Sequence, residues 1–129
     1  MRKTLILAGA LVAIATPALA VDQAKVAVLE AQMRADEQTA IQAADKAEAA
    51  AKLVLQTKDR HEAFQLSDKV IEQTDIASEA DSAWFDQCLA LYGPAKCKVG
   101  AHSVAWDALT RAANANYQAQ KYAESLPLD

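Results

Sequence analysis

Between Val21 and Tyr92 the chain contains neither glycine nor proline. These two residues interrupt helices most effectively, so their absence removes the usual reasons for a helix to stop. Glycine is scarce throughout, with three residues in the chain, one of them Gly9 near the N-terminus. A glycine-rich phosphate loop and a Gly-x-Ser-x-Gly nucleophile elbow are both missing. Histidine is limited to His61 and His102, and cysteine to Cys88 and Cys97. No C-x-x-C-H run attaches a haem. Met33 falls in mid-helix and the two histidines fall near helix ends, which is a poor axial pair. The cysteine spacing does not match zinc patterns, so a site built from Cys88, Cys97, His61 and His102 is not expected. Ser103 beside His102 is a sequence neighbour, not the geometry of a nucleophile and its base. The reading is of a protein that is not an enzyme, with no cofactor and no metal.

What is present starts with residues 1–20. Arg2 and Lys3 precede an apolar run from Leu5 to Ala15, Pro17 breaks it, and Ala18-Leu19-Ala20 places small residues where a signal peptidase reads. This is the pattern of a cleaved secretory leader, not of a structural helix. The run is too short to span a bilayer comfortably, and no Cys follows the cleavage point to carry a lipid. The mature chain then begins near Val21, stays out of the membrane, and forms one domain over 21–129 in the periplasm or outside the cell. Loss of Arg2 and Lys3 takes the formal charge from −4 to −6. An acidic domain this small is poorly suited to nucleic acid and to anionic membranes, and favours basic proteins or cations. Two cysteines in an oxidising compartment predict one disulfide, Cys88–Cys97.

Alanine, Gln, Glu, Lys and Leu fill the glycine-free stretch, and all are good helix formers. A seven-residue apolar series runs Val26, Met33, Ala40, Ala47, Val54, and a second runs Ala63, Val70, Ala77, Trp84, Leu91. The two are out of phase by two residues, and the slip falls between Thr57 and Glu62. Asp59 with Glu62 three positions later has the form of a capping box, so a turn belongs there. Gly93-Pro94 marks a second turn, with Gly93 suited to a left-handed helix end and Pro94 to the first position of the next helix. The map is helix 22–57, helix 60–92 and a third helix from 95 or 103 to 124. Short connections make neighbours antiparallel, which gives an all-α, elongated, alanine-rich three-helix bundle with a disulfide near the second hairpin.

Ala101, Ala105, Ala108, Ala112, Ala115 and Ala119 form one stripe of the third helix, with Tyr122 continuing it. Ala40, Ala43, Ala47 and Ala50 form a shorter stripe on the first. Small residues at such seams let helix axes approach closely, within one chain or between two copies. All aromatics lie at or after Phe64. Trp84, Phe85, Tyr92 and Trp106 flank the Gly-Pro turn and predict a denser hydrophobic end around the cysteines.

The candidate binding feature is an acidic stripe. Asp68, Glu72, Asp75 and Glu79 follow helical spacing, with Asp86 continuing the line and His61 preceding it. Such a run is ordinarily a solvated face, neutralised by salt or by lysines of a neighbouring helix. As a functional feature it suits a basic partner, or weak divalent-cation binding, since side-by-side ligands do not converge on a metal. The function that follows is an exported, non-catalytic protein acting through protein–protein interaction. It would be an accessory, adaptor or chaperone-like component of an envelope or secretion assembly. A periplasmic cation-binding or envelope stress-response protein using the same stripe is the alternative.

Overall fold

The structure, a computed structural model, describes the backbone of residues 2–97 and 103–128 and the side chains of 22–97 and 103–128. Three helices, α1 (Arg2–Gln56), α2 (Arg60–Tyr92) and α3 (Val104–Ser125), make up the described chain. Each packs against the other two, and there is no strand among the described residues. This is the expected three-helix bundle, with the first and second helix ends within a residue or two of their sequence positions.

The helix expected to begin at residue 22 begins at Arg2 instead. Leucine and alanine make up half of the leader, the helix continues through Gly9 and Pro17, and Val21–Gln56 offers nothing to stop it. Every buried residue described in α1 lies at Ala40 or beyond, so cleavage after Ala20 would leave the core intact.

The first turn is built as the sequence suggests, with one difference. Asp59 is the N-cap of α2, and its carboxylate accepts from the Glu62 backbone N–H at 2.7 Å. Glu62 does not return directly to the Asp59 backbone. The Asp59 N–H donates to the Thr57 hydroxyl at 3.3 Å, and that hydroxyl donates to Glu62 at 2.9 Å. Thr57 thus relays the second half of the box.

At the second turn Gly93 ends α2 at φ 77°, ψ 171°, a conformation that residues with a Cβ rarely adopt. It is positive in φ, as expected, but extended in ψ and not left-handed helical. Pro94 does not open a helix. It lies in a turn, and α3 starts at Val104 with Ser103 as N-cap, its hydroxyl accepting from the Trp106 N–H at 3.0 Å. Gly100, Ala101 and His102 lie outside the described residues, and with them the first alanine of the predicted stripe and the suggested capping role of His102.

The core is made of small side chains. Ala40, Ala44, Ala47 and Val54 of α1, Ala63, Val70 and Ala77 of α2, and Ala105, Ala112, Ala119 and Ala123 of α3 are fully buried. The largest fully buried side chains are Val54, Val70 and Ser67. Ser67 is tolerated because its hydroxyl donates to the Ala63 carbonyl at 2.9 Å. On α1 the seam uses Ala51, with Ala50 only partly buried. On α3 it ends in Ala123, while Tyr122 sits beside it, half-buried, its hydroxyl donating to the Thr57 carbonyl at 2.7 Å.

Two further contacts close the same end. The Arg60 guanidinium donates to the carbonyls of Glu124 (3.0 Å) and Leu126 (2.6 Å), placing a cation at the C-terminus of α3. It also stacks over the Phe64 ring, 5.4 Å from the centroid.

The Cys88–Cys97 disulfide is formed, with a Cα–Cα distance of 5.9 Å and both cysteines buried. It ties the last turn of α2 to the segment after Pro94. The dense aromatic end predicted around it does not form. Trp84 and Phe85 are half-buried, Tyr92 is 49% exposed and Trp106 36% exposed. The reason is length: α3 has 22 residues against 33 in α2, so among the described residues no third helix closes over the last turns of α2.

Candidate functional site

The five carboxylates named from the sequence share one surface. Successive residues advance about 100° around a helix, which puts Asp68, Glu72, Asp75, Glu79 and Asp86 opposite the buried stripe Ala63, Val70, Ala77 and Cys88. All five are exposed. They form a ridge about 27 Å long at 1.5 Å per residue. The helix therefore points its core stripe inward and must point this stripe into solvent.

The lysines that were to neutralise the ridge do not reach it. No hydrogen bond or ion pair among the described residues involves any of the five carboxylates. The ion pairs of α1 and α3 lie elsewhere: Arg111 of α3 meets Asp45 and Glu48 of α1, both at 2.7 Å. The hydrogen bonds that Arg111 donates to Glu48 and then to Asp45 hold its guanidinium pKa above the ordinary value. With its side chain 43% exposed, this clamp positions α3 on α1 more than it stabilises the fold. Nothing in the sequence singled it out, because its partners are 63 and 66 residues away.

The remaining candidates separate. His61 is exposed at the start of α2 and pairs with Gln65 at 3.1 Å. Cys88 and Cys97 are consumed by the disulfide. No group of three or more His, Cys, Asp or Glu among the described residues could hold a metal ion. The ridge presents its carboxylates in a row, and a row does not wrap a cation.

Inside the bundle, polar groups gather where α1 and α2 run past the start of α3. Trp84 donates its indole N–H to Glu37 at 3.0 Å. Asp36 Oδ2 and Gln87 Oε1 are buried acceptors without a hydrogen-bond partner among the described residues. Burial pushes the Asp81 carboxyl above its usual range. Grooves along the described surface are open. One, lined by Glu48, Lys52, Leu55, Arg111 and Gln118, runs between α1 and α3, and another is lined by Leu53, Thr57, Lys58, Glu62 and Leu66. No described helix is long and apolar enough to cross a membrane.

No protein-family model, curated protein or solved structure matches the chain.

Proposed function

We propose that the chain is an exported, non-catalytic helical protein of the periplasm or the secreted space. It acts by binding another envelope or secreted protein through the acidic ridge of α2, as an accessory, adaptor or chaperone-like component. The observation that carries this reading is the ridge itself: five exposed carboxylates in line, opposite the core, none of them in an ion pair among the described residues. Like charges at these spacings cost a few tenths of a kcal/mol per pair in an isolated helix. A basic partner surface removes that cost, and the same field steers the partner in.

Export is supported by the leader-like residues 1–20 and by a buried disulfide, which suits an oxidising compartment. A non-catalytic role is supported by the occupation of the polar side chains. Ser67 and Thr74 donate to backbone carbonyls, and His61 pairs with Gln65. None of these contacts is a base aligned on a nucleophile.

The test is crosslinking in the native envelope followed by mass spectrometry of what is attached. Glu72→Lys with Asp75→Lys should reduce the crosslinked product several-fold, and raised salt should do the same to the parent protein. An unchanged product with the ridge reversed in charge overturns the proposal.

A further inference from the structure

We draw no further inference here: the strongest candidate, the half-buried polar cluster of Asp36, Glu37, Asp81 and Gln87 between α1 and α2 beside the start of α3, has its unpartnered acceptors closed to solvent and, among the described residues, offers no three ligating side chains that could hold a cation, so nothing in the structure shows what it would bind.

Discussion

The two ends of the bundle are built on opposite terms. Where all three helices run side by side, the interior is alanine with Val54, Val70 and Ser67 as its largest fully buried side chains. Small side chains leave little to interdigitate, so stability there comes from backbones drawn close together. Past the start of α3, only α1 and α2 continue among the described helices. Larger residues such as Trp84, Phe85 and Tyr92 are present, but they are half-buried or exposed, and buried acceptors on Asp36 and Gln87 lack partners among the described residues. A covalent bond holds that end. Buried volume and side-chain size are therefore inversely arranged: the tight end is made of the small residues.

The largest expected effect is on the tight end. Ala112→Leu inserts three carbons into a seam with no space, and should destabilise by about 3 kcal/mol in chemical denaturation. The same change at exposed Ala90, near the end of α2, should stay within about 0.5 kcal/mol. Comparable losses at both positions would dissolve the contrast between the two ends.

Next comes the disulfide. Cys88→Ser with Cys97→Ser, or reduction, opens a loop with a sequence separation of 9. It should cost about 2.5 kcal/mol, or several degrees of melting temperature, in the chain-entropy model. An unchanged melt with both thiols free would mean that packing alone closes that end. Tyr122→Phe should cost about 1 kcal/mol by leaving the half-buried Thr57 carbonyl without its donor.

The smallest effect concerns Asp81, whose carboxyl burial holds above its ordinary value of 3.8. A folded pKa above the unfolded one means that ionisation opposes folding. The penalty is complete above the folded pKa and disappears as pH falls below the unfolded value. Asp81→Asn should raise the melting temperature slightly at pH 7 and leave it unchanged near pH 3, about one unit below the carboxylate range. A gain of equal size at both pH values would assign the effect to packing.

Much of this could be read from the chain because it depends on local rules. The slip in heptad phase between Val54 and Ala63 located the first turn, and Asp59 caps as its position suggests. The alanine spacing on α3 identified its buried side, with Ala105, Ala108, Ala112, Ala115 and Ala119 all inside. The ridge was legible for the same reason, since a helix that buries one stripe exposes the opposite one. What escaped depends on tertiary distance. Arg111 finds Asp45 and Glu48, and Arg60 finds the end of α3, across more than sixty residues. The aromatic end was misjudged because apolar content was counted without the length of α3. The heptad series that is fully buried at Ala40 and Ala47 reaches the surface at Val26, 42% exposed.

On the proposed function, α2 has a working side separate from its structural side. Reversing charge with Glu72→Lys and Asp75→Lys tests it when stability and envelope crosslinking are measured on the same protein. Relief of like-charge contacts should leave the melting temperature equal or slightly higher while the crosslinked product falls. A fall in stability with crosslinking unchanged would contradict it, for the ridge would then serve the fold and not a partner.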